Sequence, residues 1–167
     1  VGGIIITASH NPKEYNGYKV YDENGCQLVP EKIDRLVAII AGLPNELAVE
    51  IRPRQVQGKT VVLDSSIDDE YIALVESTQV NPTLKKDDFK IVFSPQHGTS
   101  YQIAMRIFKD TGYHVFPVTT QCDPDPDFKG TLSPNPEDPR AYIEAIALAQ
   151  KEHAHLIVMN DPDADRV

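Results

Sequence analysis

Two short clusters in this 167-residue chain carry reactive side chains at a spacing that matters. The first is Thr7-Ala8-Ser9-His10-Asn11-Pro12, directly behind the β-branched run Ile4-Ile5-Ile6. A serine on a short turn at a strand end is exposed and held by that turn. His10 and Asn11 beside it can donate hydrogen bonds to an anion, and Lys19, ten residues on, adds a positive charge. The set suits a nucleophilic or phosphorylated serine better than an acyl-transfer one. No G-x-S-x-G elbow is present, and no acid–histidine pair at a recognisable spacing accompanies the serine. A plain Ser/Asn turn is the competing reading.

The second cluster, Asp161-Pro162-Asp163-Ala164-Asp165-Arg166, follows the apolar run from Leu156 to Asn160. In an α/β sheet the C-terminal ends of strands are where ligands bind. Three carboxylates at i, i+2 and i+4 repel one another unless a cation neutralises them. Oxygen donors with no His or Cys among them favour Mg²⁺, Mn²⁺ or Ca²⁺ over zinc. A solvated acidic turn is the ordinary alternative. A calcium loop of EF-hand type fits poorly, because Arg166 stands where that loop needs Gly and a strand precedes where a helix should.

The elements that must position these clusters read as follows. Val1 to Ala8 and Tyr18 to Asp22 read as strands around the polar turn 9–17. Pro30 to Ala41 reads as an amphipathic helix, with Ile33, Leu36, Val37 and Ile40 on one face, Pro30 in the first turn and Gly42 as the stop. Residues 43–58 hold two prolines and no strong period, which places a domain boundary there and divides the chain into 1–50 and 51–167. Beyond it the pattern alternates. Strands are expected at Lys59 to Asp64, Lys90 to Ser94, His114 to Val118 and Leu156 to Asn160. Helices are expected at Asp68 to Val80, Gly98 to Thr111 and Pro136 to Lys151. Strands alternating with helices predict an α/β fold: a three-layer domain with a mainly parallel mixed sheet, preceded by a hairpin and helix. The segment from Thr119 to Pro139 carries five of the thirteen prolines and is too long for an ordinary connection.

Composition bounds the partners. Sixteen Lys and Arg against 25 Asp and Glu give a net charge of −9, which repels phosphate backbones and anionic headgroups. No basic patch offsets it, so nucleic-acid and membrane binding are not expected, and no apolar run approaches the roughly 20 residues of a membrane span. Cys26 and Cys122 read as two isolated buried thiols. His97, ahead of Gly98-Thr99-Ser100, reads as a hydrogen-bonded turn histidine rather than an anion ligand, and His114, His153 and His155 read as structural. Asp123, Asp125 and Asp127 mimic the acidic cluster by spacing but lie in the proline-rich segment, and read as a solvated turn. Because the chain opens on Val1 and stops at Val167 behind a charged cluster, it is expected to be a piece of a longer protein.

ITASHNPKEYNGYK at residues 6–19, paired with DPDADR at 161–166, resembles the α-D-phosphohexomutase superfamily, most closely its phosphoglucomutase and phosphomannomutase members. SPQHGTS at 94–100 and SPNPEDPRA at 133–141 resemble segments that lie in that order between the two motifs. The resemblance implies that 1–50 is the end of domain 1, with the phosphoserine loop, and 51–167 most of domain 2, with the metal loop, of a four-domain cytoplasmic isomerase. It implies that Ser9 carries the phosphoryl group, flanked by His10 and Asn11, with Lys19 near the phosphate. Asp161, Asp163 and Asp165 would be Mg²⁺ ligands, the Ser9 phosphate oxygen would complete the set, and Arg166 stands behind the loop. The implied reaction moves phosphate between the 1- and 6-positions (or 5-, for a pentose) of a sugar phosphate substrate, with a sugar bisphosphate as intermediate and activator. Pro162 departs from the Gly of many members and resembles the phosphopentomutase-like branch. The proton-accepting base stays open between Lys19 and His10, and the sugar among glucose, mannose, ribose and deoxyribose. A non-catalytic cation-binding module and an aspartyl-nucleophile phosphotransferase are the alternatives. The chain alone is expected to be inactive, and to self-associate through strand edges around Ile4 to Thr7.

Overall fold

The computed structural model describes residues 2–48 and 59–167, and the chain clusters into two compact units. One comprises Val1–Ile6 and Tyr18–Val62; the other comprises Thr7–Gly17 and Leu63–Val167. The expected boundary between residues 50 and 51 lies outside the described residues.

In the first unit, β1 (Gly3–Ile6) pairs antiparallel with β2 (Tyr18–Tyr21), with Ile4 opposite Val20 and Ile5 opposite Lys19. The helix α1 (Pro30–Ala41) starts on a proline, whose missing N–H has no intrahelical use there, and ends at Gly42, whose N–H donates to Ala38 O at 3.1 Å. Ile33 and Leu36 are half-buried, while Val37 and Ile40 on the same stripe stay exposed.

In the second unit, a sheet of three parallel strands runs in the order β4 (His114–Pro117), β3 (Lys90–Ser94), β5 (Leu156–Met159). Between them in sequence come α3 (Tyr101–Asp110) and α4 (Ile143–Glu152), with α2 (Ser66–Ser77) ahead of β3. A central strand in a parallel sheet is covered on both faces, and β3 is apolar accordingly. Side chains alternate along it: Val92 joins Met159, Val118 and the α4-side Ala141 and Ala145, while Phe93 meets Phe108 of α3 edge-on at 5.5 Å. The helices therefore cover opposite faces and give the three expected layers. No helix among the described residues is long and apolar enough to cross a membrane.

Several expected elements are corrected. Residues 59–64 form no ladder with a described strand, and Val61 and Val62 are exposed; a β-branched run becomes a strand only where a neighbouring edge takes its amides. The α2 helix starts earlier than expected because Asp64 accepts the Ser66 amide at 2.9 Å, and ends at Ser77. The α3 helix starts at Tyr101 rather than Gly98, since the Gly98 and Thr99 amides go to Pro95 O and Pro162 O. The last helix is preceded by a 3₁₀ turn at Pro139–Tyr142, capped by Asp138, whose carboxyl Arg140 holds well below the usual range. Cys122 is buried as expected, but Cys26 is exposed, in the turn after β2.

Phe93 is 1% exposed between helix and sheet. Phe93→Ala is expected to lower unfolding free energy by about 3–5 kcal/mol, read from a denaturant titration.

Candidate active site

The parallel sheet sends the C-terminal ends of β3 and β5 to one edge, and each continues into a turn without strand pairing. After β3, Pro95–Ser100 folds back with Gln96 and His97 at φ of 48° and 59°. After β5, Asp161 opens the acidic loop. The two turns are locked together: Thr99 N–H donates to Pro162 O at 3.0 Å, and Gly98 packs so closely that a Cβ there would collide with Pro162 Cα and O. Only a residue without a side chain fits.

Asp161 is completely buried. A carboxylate removed from water must have its lone pairs satisfied by hydrogen bonds, and both oxygens are engaged. Oδ1 accepts the Asp165 and Arg166 amides, each at 3.2 Å, and Ala164 N–H donates to the Asp161 carbonyl at 2.9 Å. The side chain thus organises its own loop, with Ala164 held at φ 64°. Oδ2 accepts the hydroxyl of Ser9 at 2.8 Å, across 152 residues of sequence.

Ser9 sits at φ 51°, a left-handed conformation that a residue with a side chain holds only when its surroundings enforce it. Three contacts do so. Ser9 N–H donates to Thr7 Oγ1 at 2.9 Å, Asn11 N–H donates to Ala8 O at 3.0 Å, and Thr7 N–H donates to Gly17 O at 3.1 Å, closing the loop. His10 Nδ1 lies 3.1 Å from Ser9 Oγ and 3.8 Å from Asp161 Oδ2. With the serine proton donated to Asp161, His10 Nδ1 can engage the serine oxygen only as an N–H donor.

Thr7 is a site residue that motif reading alone did not single out. Its hydroxyl accepts from Ser9 N–H and donates to Asp163 Oδ1 at 2.5 Å, so one side chain ties the serine backbone to the second carboxylate of the acidic loop. A β-branched hydroxyl residue two positions before the serine was the only signal in sequence. Asp165 and Arg166 are exposed, and Arg166 Nη1 lies 3.6 Å from Glu137 Oε1. Asn11 is exposed on the turn. Lys19 belongs to the first unit, on β2.

Among the described residues no group of three or more His, Cys, Asp or Glu side chains is arranged to hold a metal ion. The donors that do meet, a buried carboxylate and a serine hydroxyl, are oxygen only, and suit a hard divalent cation by chemistry. The second acidic cluster is a turn, as expected: Asp125 accepts the Asp127 and Lys129 amides, and Asp127 pairs with Lys13.

A three-layer α/β unit with a strained serine hydrogen-bonded to a buried aspartate at the ligand end of its sheet defines a class of protein rather than one fold alone. The model of the phosphoglucomutase/phosphomannomutase α/β/α domain II matches residues 69–167, and that of domain I matches residues 1–46. The chain belongs to the phosphoglucomutase/phosphomannomutase family. It is 39% identical over 168 residues to a phosphoglucomutase of Staphylococcus aureus strain MRSA252, and 38% identical to that of strain USA300, covering 99% of this chain in each case. The chain spans 30% of the length of these curated relatives. Among solved structures, one described as a putative phosphomannomutase from Thermus thermophilus superposes with a TM-score of 0.74 at 23% identity, over 98% of this chain and 35% of that one. A phosphoglucomutase/phosphomannomutase family protein from Burkholderia thailandensis gives 0.69 at 25% identity, over 96% and 31%. The Thermus likeness bears on fold alone.

Two outcomes follow from the geometry. Gly98→Ala is expected to cost about 3 kcal/mol or more in a denaturant titration, because backbone rather than a flexible side chain must yield. Thr7→Val, which keeps the shape and removes the hydroxyl, is expected to cost about 1–3 kcal/mol by the same measurement, and Thr7→Ser to recover most of it.

Proposed function

We propose that this chain serves in an intramolecular phosphotransferase that interconverts sugar 1-phosphate and sugar 6-phosphate through a phosphoserine at Ser9. The observation that carries the reading is the 2.8 Å contact of Ser9 Oγ with buried Asp161, in a chain of this family. Transfer starts from phosphorylated Ser9. The bond from its Oγ to phosphorus breaks, a new one forms to the free hydroxyl of the sugar monophosphate, and the hydroxyl proton passes to His10 or Lys19, which delivers it to the departing Ser9 oxygen to leave a free serine hydroxyl. The bisphosphate then turns over and returns its other phosphate to Ser9. The same sugar bisphosphate primes unphosphorylated enzyme, which is its role as activator.

Esterifying Ser9 removes the proton that Asp161 accepts and brings a phosphoryl group of about −2 charge against a buried carboxylate. A cation must offset that repulsion. Asp161, Asp163, Asp165 and the Ser9 phosphate oxygen would hold Mg²⁺, which when bound supplies Lewis-acid stabilisation of charge on the serine oxygen. Arg166 and Asn11 serve the charge and hydrogen bonding of the transferring group. An aspartyl nucleophile at residue 161 is disfavoured, because its carboxylate is buried and both oxygens are engaged. A cytoplasmic enzyme with glucose, mannose, ribose or deoxyribose 1-phosphate as substrate belongs to the same reading. These 167 residues alone are proposed to be inactive, and to self-associate through β1, where Ile4 and Ile6 are exposed.

Full-length protein incubated with hexose 1,6-bisphosphate and Mg²⁺ is expected to carry one phosphoryl group on the Ser9 peptide by mass spectrometry. Ser9→Ala is expected to abolish that label and lower turnover by about 10⁴-fold or more. A label on Asp161 instead overturns the reading.

A further inference from the structure

The segment Asp123–Gly130 is hydrogen-bonded at its base to His97 and Gln121 and at its tip to itself. Both ring nitrogens of His97 are engaged by it: Nδ1 donates to Asp123 O at 2.8 Å and Nε2 accepts from Gly130 N–H at 3.1 Å. Gly130 is pressed against that ring, since a Cβ there would lie 2.8 Å from Nε2. The buried Gln121 holds the same end, with its side-chain amide donating to Gly130 O and its carbonyl accepting Ser94 Oγ at 2.5 Å. At the tip, Asp125 accepts the Asp127 amide at 2.9 Å and the Lys129 amide at 3.3 Å, and Phe128 turns at φ 51° with its ring edge-on to His97. The loop is therefore tied into the end of β3 at its base and folded on its own carboxylate at its tip.

This construction presents Asp127. Its carboxylate accepts Lys13 Nζ at 2.8 Å, with Lys129 Nζ 3.6 Å from its other oxygen. Lys13 and Lys129 hold the Asp127 carboxyl below its usual range, and Asp127 holds the Lys13 amine above its own. Lys13 lies four residues after Ser9 on the turn that carries it, where Pro12 to Asn16 are exposed and Tyr15 N–H closes only a local bond to Pro12 O. The ion pair ties this outer half of the serine turn to a loop anchored at the end of β3.

We propose that Asp127 is a positioning residue for Ser9: through Lys13 it holds the serine turn in the strained conformation that keeps the hydroxyl against Asp161. Its consequence for phosphoryl transfer rests on the mutase reading, whereas its hold on the turn does not. Because both partners are half-exposed, the effect is modest and screened by salt.

The test uses full-length protein in four forms: unaltered, Asp127→Asn, Lys13→Asp, and the exchanged pair Lys13→Asp with Asp127→Lys. Hydrogen–deuterium exchange over residues 9–17 is expected to quicken about 2- to 5-fold in each single variant at low salt, and to return toward the unaltered rate in the exchanged pair. Labelling of Ser9 by hexose 1,6-bisphosphate, followed by intact mass, is expected to slow by a similar factor and to recover with it. Unchanged exchange in both single variants overturns the proposal, and so does quickened exchange that the exchanged pair fails to restore. Exchange that responds while labelling does not overturns the positioning role in the reaction. Exchange that behaves as expected in a protein whose unaltered form takes no phosphate supports the hold on the turn and overturns the mutase reading instead.

Discussion

A carboxylate with no access to water is the feature on which the local structure is built. Asp161 leaves the core strand β5 directly behind Met159 and Asn160, and burial obliges it to collect hydrogen bonds from whatever surrounds it. One oxygen takes amides of its own loop, which fixes the path of residues 161–166. The other reaches a hydroxyl brought from the far end of the sequence. Two regions with no sequence proximity are thereby placed by one side chain. Removing it would leave the loop amides and the serine without a common acceptor.

Around that carboxylate the backbone is bent into unfavourable regions. Ser9, Gln96, His97 and Ala164 all have positive φ, and they occupy the three turns that meet at the sheet edge. Each such conformation costs on the order of 1–3 kcal/mol and survives only where neighbours over-determine it. The neighbours are identifiable: Thr7 for Ser9, the Asp161 carbonyl and carboxylate for Ala164, and the Pro162 and Gln121 carbonyls for the turn that contains Gln96 and His97. Four of the six described non-glycine residues with positive φ lie in these turns; the others are Phe128 and His153, the C-cap of α4.

What the sequence disclosed follows from what is local. The serine turn, the acidic loop and the three parallel strands are each encoded by residues within one short window, by spacing, apolar runs and turn residues, and these were legible. The α2, α3 and α4 boundaries were displaced because helix ends are decided by which amides are captured, and Thr99 gives its amide to Pro162, about 60 residues away. The Lys59 to Asp64 run has strand propensity but no paired edge among the described residues. The bridging role of Thr7 and the pairing of Asp127 with Lys13 depend on contacts across 156 and 114 residues, which no spacing rule reports. Lys86 is similar: a lysine buried with its amine on Thr111 O and Gln79 Oε1 and over the Tyr113 ring looks in sequence like any solvated one.

The difference between Ser9 and Asp161 follows from burial more than from residue type. Aspartate and serine are both capable nucleophiles when suitably activated, and either could carry a phosphoryl group. A nucleophile must present a free lone pair to an incoming phosphorus along a line open to substrate. Asp161 lacks the open line, since it is enclosed and both oxygens already accept hydrogen bonds, so an incoming phosphorus would have to displace those contacts first. Ser9 is half-buried on a turn whose outer half is exposed, and its oxygen keeps one lone pair beyond the one facing His10. The contacts that impose φ 51° on Ser9 hold that oxygen in place against relaxation of the backbone. An enclosed carboxylate beneath a half-buried hydroxyl leaves the hydroxyl, and not the carboxylate, accessible to an approaching group.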